Sequence, residues 1–247
     1  MITYQSALKN LKKNKLSINN EIIPIKNALN RIVAKSVISS ENYPSADNTA
    51  FDGFAVNSKE TNSLSTKNIR KFKILKTIAA GQNPNIKKNL KFSAVEVMTG
   101  AIIQKPFDTI IPIENINFFP NKSDAKFIII DSKIKKNQFI RKAGTDFKKN
   151  SKIINKGEFV NPSHILAFKT LGIKEIMVKK KPKIIFYPTG NELSEKKNIP
   201  NWKIRNSNTS YLQSFVKNLP INFIEKKILK DKDVDFFKKE IKKNLKS

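Results

Sequence analysis

Residues 48–56 read Asn-Thr-Ala-Phe-Asp-Gly-Phe-Ala-Val, and this stretch marks the change from turn-rich to strand-like sequence. Residues 40–49, which lead into this stretch and overlap its first two residues, are rich in Ser, Asn, Asp and Pro, which favour turns. After it, short apolar runs alternate with Gly, Pro and Asn as far as residue 140; they occupy residues 72–75, 94–98, 109–113 and 127–130. We therefore predict an all-β domain over residues 48–140.

Helical patterns flank this region on both sides. Leucines at positions 8, 11 and 16 predict a helix over residues 5–16, and residues 28–34 are interpreted as a second helix. Asn161-Pro162, then apolar residues at helical spacing, then Gly172 predict a capped helix. The reason is that Asn favours the N-cap, Pro the first turn and Gly the position past the end.

A third pattern begins after Pro182, which marks a predicted domain boundary. Residues 183–187 form a strand-like run, residues 212–219 have helical spacing, residues 223–229 form a second strand-like run, and a helix follows Asp233. This order predicts the start of an open α/β sheet. Two strands leave an exposed edge and an uncovered face, so we expect residues 183–247 to be marginally stable in isolation.

The chain of 247 residues carries 48 Lys and Arg against 20 Asp and Glu, a formal net charge of +28. One interpretation is a binder of nucleic acid or of an anionic membrane, and the other is a solvated, lysine-rich surface. Arg makes the bidentate contacts of nucleic-acid recognition, but only Arg31, Arg70, Arg141 and Arg205 are present. We favour the surface interpretation and expect no specific nucleic acid, although small anionic substrates would be attracted.

The residue types and patterns that the sequence lacks limit the kinds of metal site and the cellular location that we expect. The chain has no Cys, and His164 is its only His, so a zinc site is disfavoured and a metal would be a hard cation such as magnesium on oxygen ligands. The lack of Cys fits a reducing compartment. No signal-peptide pattern and no apolar run of about 18 residues is present. We expect a cytoplasmic protein with no membrane partner.

Polar residues at the ends of apolar runs are the first candidates for a site. Asp52 lies between apolar residues and must find a partner or shift its pKa, although a simple Asp-Gly turn is the alternative. Thr99 places a hydroxyl just after a strand-like run. Arg141 and Asp146 flank Gly144, which suits either anion binding or a local ion pair across a turn.

The loop after the strand at residues 183–187 is a further candidate. Ligands of open α/β sheets bind outside the carboxyl ends of the strands. The hydroxyl of Thr189 and the N–H group of Gly190 would suit a phosphate there, and Glu192 could hold a metal or orient a nucleophile. Taken alone the motif is weak, because Gly also makes ordinary turns.

Taken in order, these segments resemble the molybdopterin molybdenumtransferase family, MoeA in bacteria and the E domain of gephyrin in animals. The order carries the resemblance more than any single motif. Residues 44–56 resemble P-x-x-x-x-SAMDGYAV, residues 78–81 I-x-AG, residues 94–101 AVRIMTGA, residues 107–114 GADAVVxxE, residues 139–146 NIRxxGED, residues 165–172 IGLLASLG, and residues 182–193 RPRVAIxSTGDEL. Residues 205–208 and 228–231 are similar to the segments that follow in the family.

The resemblance implies an α+β multidomain fold. Its parts would be a discontinuous linker domain over residues 1–47 and 141–181, an inserted all-β domain over residues 48–140, and a truncated α/β molybdopterin-binding domain over residues 182–247. Family members cleave adenylylated molybdopterin with release of AMP and insert molybdate at the dithiolene sulfurs. They are homodimers whose active cleft joins the α/β domain of one subunit to the inserted β domain of the other.

The resemblance also implies roles for individual residues. Asp52 and Thr99 would reach into the partner subunit's cleft, and Arg141 and Asp146 would face the anionic ligands. Glu192 would act on metal, molybdate or phosphate beside Asp231. The remaining ligand-binding positions would be Thr189, Gly190 and Asn208. A magnesium ion held by Asp52 and Glu192 would reconcile acidic residues with anionic substrates.

This sequence departs from the family pattern at several positions. Asn191 stands where TGDEL has Asp, Thr145 stands where GED has Glu, and Phe51 and Phe54 replace Met and Tyr. The family's later motifs, among them a Gly-Gly-x-Ser loop, have no counterpart here. The alternative is therefore a catalytically incomplete remnant or dimerising scaffold that needs a second chain to supply the missing half.

Overall fold

The computed structural model describes residues 2–14, 16–86 and 90–245. Backbone contacts divide the chain into two compact units. We call residues Ile38–Lys152 the β unit, and the two stretches Met1–Val37 and Ile153–Ser247 together the flanking unit.

Four helices and sixteen strands are assigned in the described residues. The helices are α1 (Tyr4–Lys13), α2 (Pro162–Thr170), α3 (Ser207–Val216) and α4 (Val234–Leu245). The strands are β1 (Asn20–Pro24), β2 (Val37–Ile38), β3 (Asn48–Thr49), β4 (Gly53–Val56), β5 (Arg70–Ile78), β6 (Ser93–Val97), β7 (Thr109–Pro112), β8 (Asn117–Phe119), β9 (Phe127–Ile130), β10 (Ile140–Arg141), β11 (Lys152–Ile154), β12 (Glu175–Lys179), β13 (Lys183–Phe186), β14 (Leu193–Ser194), β15 (Ile204–Arg205) and β16 (Asn222–Glu225).

The β unit is built on a six-stranded sheet in the order β7-β4-β6-β5-β9-β8. All neighbouring strands are antiparallel except β5 and β6, which are parallel. The four apolar runs that the sequence singled out fall on β5, β6, β7 and β9, so those strand predictions are confirmed.

Both faces of the central strands are covered. Phe54 and Val56 of β4 belong to one buried apolar cluster, whereas Ala55 between them belongs to a second. Alternate residues of a strand point to opposite faces, so the two clusters lie on opposite sides of the sheet. This explains why the strand sequences are continuously apolar instead of alternating with polar residues.

The two chain crossings into and out of the sheet pair with each other. The N–H of Ser39 donates to the carbonyl of Ser151 at 2.9 Å, and the N–H of Tyr43 donates to the carbonyl of Phe147 at 2.8 Å. Strand β3 continues this ribbon by pairing with β10. The crossings are therefore counted with the β unit, whose limits lie at residues 37/38 and 152/153, whereas the predicted limits were 47/48 and 140/141. The division into linker, inserted β and α/β domains stays a prediction.

The flanking unit has its own core around the antiparallel pair β1 and β12. Helix α2 contributes the fully buried Phe168 to it. As predicted, Asn161 caps α2, accepting from the N–H of His164 at 3.0 Å, and Gly172 follows the helix at φ +67°. The sequence did not predict a second contact of this cap, in which the N–H of Asn161 donates to Nδ1 of His164 at 3.2 Å.

The predicted helix over residues 28–34 is wrong. The chain there runs as an irregular segment whose backbone groups bond to distant strands and loops: the N–H of Val33 donates to the carbonyl of Glu158 at 3.0 Å, and the N–H of Ala34 to the carbonyl of Met177 at 2.9 Å. Asn30 at φ +60° also breaks helical geometry. Arg31 is buried in an ion pair with Glu21. Tertiary hydrogen bonds therefore outweigh local helix preference.

Residues 183–245 of the flanking unit form the predicted strand–helix–strand–helix string. Strands β13 and β16 are parallel, in register from Lys183 with Asn222 to Phe186 with Glu225. Helix α3 connects them, capped by Asn206, and α4 follows. We call these residues the 183–245 segment. Leu219, which the spacing placed on the first helix, lies beyond the end of α3.

Candidate functional site

Strand β3 draws three of the family-like motifs together in the β unit. On one side it pairs with β10, which carries Arg141. On the other side the N–H of Thr49 donates to the carbonyl of Ala101 at 3.0 Å, and the N–H of Gly100 donates to the carbonyl of Thr49 at 2.9 Å. Segments that are far apart in sequence, around residues 48–53, 98–101 and 140–146, therefore meet at one place.

Asp52 and Thr99 lie side by side because β4 and β6 are antiparallel neighbours. Gly53 at the start of β4 is in register with Val97 at the end of β6, so the residues just outside these positions share one end of the sheet. Gly53 is required there, because a Cβ would come within 2.1 Å of the carbonyl oxygen of Ile111. The alternative interpretation of Asp52-Gly53 as a simple turn is therefore incomplete.

The Asp52 carboxylate is held by two hydrogen bonds from Thr99. The backbone N–H of Thr99 donates to Asp52 Oδ1 at 2.6 Å, and its hydroxyl donates to the same oxygen at 2.7 Å. These bonds favour the charged form and lower the pKa of the Asp52 carboxyl below its ordinary value, against a small opposing effect of burial. Asp52 is exposed, so its carboxylate is an ionised hydrogen-bond acceptor open to solvent.

Arg141 and Asp146 form an ion pair with each other. Their side chains are 45% and 31% exposed. The loop between them turns at Gly144, which adopts φ +75° and donates its N–H to the carbonyl of Pro44 at 2.9 Å. The local ion pair weighed as the alternative is therefore present, and an anion would have to compete with or share the Arg141 guanidinium.

The flanking unit holds the second group of candidates, where β13 and β16 end. Because these strands are parallel, their carboxyl ends lie at one edge of the sheet. Beyond them the N–H of Gly190 donates to the carbonyl of Leu229 at 3.0 Å, and the N–H of Leu229 donates to the carbonyl of Pro188 at 2.8 Å. The loop carrying Thr189 and Glu192 thus lies beside the loop carrying Asp231.

Asn191 joins these two loops through its side-chain amide. Its Nδ2 donates to Asp231 Oδ2 at 2.5 Å, and its Oδ1 accepts from the backbone N–H of Asp231 at 3.2 Å. The Lys230 ammonium adds hydrogen bonds to the carbonyls of Gly190 at 3.1 Å and Leu193 at 2.8 Å. An Asp at position 191, as in the family pattern, would instead set two carboxylates against each other. In this chain, Asn191 therefore binds Asp231 through its amide without adding a second negative charge.

Glu192 and Asn208 are placed differently from each other. The Glu192 carboxylate folds back over Gly190, where a Cβ would lie 2.4 Å from Glu192 Oε1. Gly190 adopts φ +142°, a conformation that other residues rarely take. Asn208 is an exposed residue of the first turn of α3, and no hydrogen bond joins its side chain to the 189–192 loop in the described residues.

Sequence reasoning missed two polar contacts near the candidates. Asp47 accepts from the ammonium of Lys142 at 2.7 Å and from the N–H of Ala143 at 2.9 Å, beside Arg141. Asn206 is buried and donates to Glu195 Oε1 at 2.7 Å while it caps α3. The sequence signals for Asn206 are its position before a helical pattern and its place in the family-like segment 205–208.

The candidates therefore form two groups, one on each unit. Within residues 2–14, 16–86 and 90–245, no three His, Cys, Asp or Glu side chains gather into a metal site. Among the described residues, neither Asp52 nor Glu192 belongs to a group of three such side chains, and their role as magnesium ligands stays a prediction. The helices in the same residues are too short or too polar to cross a membrane.

Comparison with known proteins places these features in a family. The family model of the MoeA N-terminal region, domains I and II, matches residues 2–172. The chain belongs to the MoeA N-terminal family. This match covers both the strand β3 junction and the capped helix α2.

Individual relatives agree with the family assignment. The chain is 27% identical over 235 residues to the molybdopterin molybdenumtransferase of Staphylococcus aureus strain Mu50, covering 95% of this chain and 54% of that protein. It is 30% identical over 191 residues to the Bacillus subtilis strain 168 protein of the same name, covering 77% of this chain and 44% of that protein. The chain thus spans about half the length of the curated relatives that it matches.

Solved structures of MoeA proteins share the fold. A molybdopterin biosynthesis MoeA protein from Pyrococcus horikoshii OT3 superposes with a TM-score of 0.85 at 27% identity, covering 99% of this chain and 64% of that one. A second structure of a Pyrococcus horikoshii MoeA protein gives a TM-score of 0.82 at 25% identity, covering 94% and 58% of the two chains. The mixed α/β fold of this chain is therefore that of MoeA proteins.

Proposed function

We propose that this chain acts in molybdenum cofactor biosynthesis, where it binds adenylylated molybdopterin and molybdate and supports molybdate insertion with release of AMP. The observation that carries the proposal is the Asp52–Thr99 contact at the β3 junction, formed by family motifs in a chain that belongs to the MoeA N-terminal family. Family membership supports a role in molybdenum cofactor biosynthesis. The Asp52–Thr99 contact supplies a charged acceptor that could bind the substrate.

The residues of the β unit would bind the substrate. The Asp52 carboxylate, kept ionised by Thr99, would accept a hydrogen bond from a substrate N–H group or from a water molecule. The Arg141 guanidinium would attract phosphate or molybdate oxygens while Asp146 holds it in place. The high net charge of +28 would draw such anions toward the protein.

The loops of the 183–245 segment would form the other half of the site. Backbone N–H groups and the Thr189 hydroxyl at the strand ends suit a phosphate or molybdate. Glu192 and Asp231 would meet the substrate there, with Asp231 positioned by Asn191. In the arrangement that the family resemblance implies, two copies of the chain form a homodimer, and the β unit of one faces these loops of the other.

The direct test is AMP release from adenylylated molybdopterin by the purified chain in the presence of molybdate. We expect Asp52→Asn to reduce AMP release by at least about tenfold, since it removes a charged acceptor. The matched control is Asp124→Asn, an exposed carboxylate of the same unit, which should change nothing. No turnover together with no binding of the nucleotide would overturn the proposal.

A second candidate function is binding without turnover, as a scaffold that needs a second chain. The observation in its favour is that the Asp52–Thr99 contact, which would bind the nucleotide, is formed within this chain's own β unit. Nucleotide binding that depends on Asp52 but gives no AMP would select this candidate. Light scattering would test the homodimer, with an expected mass near twice 28.2 kDa.

A further inference from the structure

A cavity of about 680 Å³ opens on the β unit beside the segment that carries Arg141, since Ile140 and Lys142 line it. Its volume lies within the range of about 300–1,000 Å³ that is typical of small-molecule pockets. Asp52, Thr99, Arg141 and Asp146 are not among its lining residues. It is lined by residues around positions 57–59, 103–108 and 136–142, and by Asp47.

Four lysines, at positions 59, 105, 136 and 142, line this cavity. Lys142 is neutralised by its ion pair with Asp47. In the described part of the chain, the ammonium groups of Lys59, Lys105 and Lys136 lie within 4.0 Å of no carboxylate oxygen. The cavity therefore gathers three cations without direct counter-ions, and their mutual repulsion would be relieved by a bound anion.

Both carboxylates of the cavity are already engaged with protein donors. Asp108 accepts from the N–H of Ser58 at 2.7 Å and from its hydroxyl at 3.0 Å. Asp47 is partly buried, which disfavours its charge, but its bonds with Lys142 and Ala143 hold its pKa below the ordinary value. Lys105 adds a weaker electrostatic attraction to Asp47. Among the described residues, however, no ion pair within 4.0 Å joins either carboxylate to Lys59, Lys105 or Lys136.

The remaining wall of the cavity is apolar, with Phe107 buried and Ile103, Pro106 and Ile140 half-buried. Low-dielectric walls strengthen the field of nearby charges and focus it on the cavity. A surface of scattered lysines has no such wall. We propose that this cavity binds a tetrahedral oxyanion, either as a free ion or as the phosphate group of a small metabolite.

The test is a calorimetric titration of the full chain at fixed ionic strength with inorganic phosphate, molybdate, sulfate and AMP. The cavity variant carries Lys59→Gln, Lys105→Gln and Lys136→Gln together. The matched control carries Lys67→Gln, Lys122→Gln and Lys133→Gln, three exposed lysines of the β unit outside the cavity. Both variants lose the same net charge, so any difference between them is local.

We expect saturable binding of at least one probe, weakened by at least about tenfold in the cavity variant and unchanged in the control, since charge-assisted hydrogen bonds are lost only in the former. Preference for AMP over the inorganic ions would identify a phosphorylated metabolite, and the reverse a free oxyanion. Absence of saturable binding, or equal weakening in both variants, would overturn the proposal.

A second variant is expected to change anion binding in the opposite direction, so it tests the proposal even if the triple variant does not fold. Asp47→Asn removes the negative charge beside Lys142 while its amide oxygen can still accept from Ala143, so we expect tighter anion binding. Weaker or unchanged binding in this variant would count against the cavity. None of the three lysines changed in the cavity variant belongs to the candidate site, so that variant should release AMP at an unchanged rate in the assay above, and the two proposals can fail independently.

Discussion

The β unit and the 183–245 segment each carry one group of candidate site residues, but they are packed very differently. Every residue of strand β4 in the β unit is buried, and apolar clusters cover both faces of its sheet. Among residues 183–244, Pro188 and Leu229 are the buried apolar residues, while Trp202, Tyr211 and Phe215 are at least 66% exposed.

Similar apolar runs in a sequence therefore do not imply similar burial of the strands that they form. Strands β4 and β13 are both rich in apolar residues, yet every residue of β4 is buried whereas the residues of β13 are exposed or half-buried. A strand is buried only when neighbours cover it, and the parallel pair β13 and β16 has no third strand among the described residues. We therefore expect the two regions to differ in stability and in opening rate.

The largest expected effect contrasts two phenylalanines. Phe72 in β5 is fully buried, whereas Phe215 on α3 is 66% exposed. Phe72→Ala should lower the free energy of unfolding by about 3–5 kcal/mol, because it leaves a cavity in the core. Phe215→Ala should change it by less than about 0.5 kcal/mol. Urea denaturation of both variants measures this, and similar losses would break the comparison.

The loss of stability on replacing Gly by Ala should also differ between the two regions, as Gly53 and Gly190 show. A Cβ at Gly53 would clash with the backbone of Ile111, whereas a Cβ at Gly190 would meet only the mobile end of Glu192. Gly53→Ala should therefore cost about 1–3 kcal/mol through forced strand movement, and Gly190→Ala less. Thermal melts of both variants give the order, and a greater loss for Gly190→Ala would show that the strain at φ +142° dominates.

Proteolysis should begin in the less packed region. We expect trypsin to cut first after about residue 180 and to leave residues 1–180 protected, because few buried contacts oppose local opening in the 183–245 segment. Mass spectrometry of timed digests identifies the cuts. Uniform resistance, or first cuts inside the β5–β9 sheet, would contradict the difference in packing.

The acid titration of Asp52 should follow its bonds to Thr99. Its pKa lies below the ordinary value of 3.8, so it contributes stability above that pH, and the contribution is lost as the pH falls through the lower folded value. Thr99→Val removes the hydroxyl bond but keeps the N–H bond, and should raise the pKa part of the way back. NMR titration measures it, with Thr145→Val as the control; an unmoved pKa would refute the hydroxyl's role.

The smallest effect is expected at the Asn191 bridge. Asn191→Asp should destabilise the chain by only about 0.5 kcal/mol, because both groups are exposed and solvent screens the repulsion. Asn201→Asp, also exposed, is the control. Faster hydrogen exchange at residues 189–193 and 229–231 in the first variant alone would confirm the bridge, and identical exchange in both would contradict it.

Sequence reasoning succeeded where local chemistry decides the structure. The cap of α2 at Asn161-Pro162 and the four apolar runs of the β unit were foreseen, because capping and burial depend on a few neighbouring residues. The family resemblance, carried by the order of the motifs, is confirmed by the family model.

Structure that depends on distant partners was not predictable in the same way. The helix expected at residues 28–34 gave way to tertiary hydrogen bonds, and the parallel pairing of β5 with β6 has no local signal. The Asp52–Thr99 contact joins positions 47 residues apart, so neither residue alone revealed its partner. The roles of Asp52, Thr99, Glu192 and Asp231 in binding remain predictions.

We propose above that the well-packed β unit of one copy and the loosely packed 183–245 segment of another together bind a pterin nucleotide. Hydrogen exchange of the full chain, with and without adenylylated molybdopterin and molybdate, tests it most directly. The account predicts slower exchange on ligand addition both at residues 48–53 and 98–101 and at residues 188–193 and 229–231. Protection at only one of these places, or at neither, would contradict it.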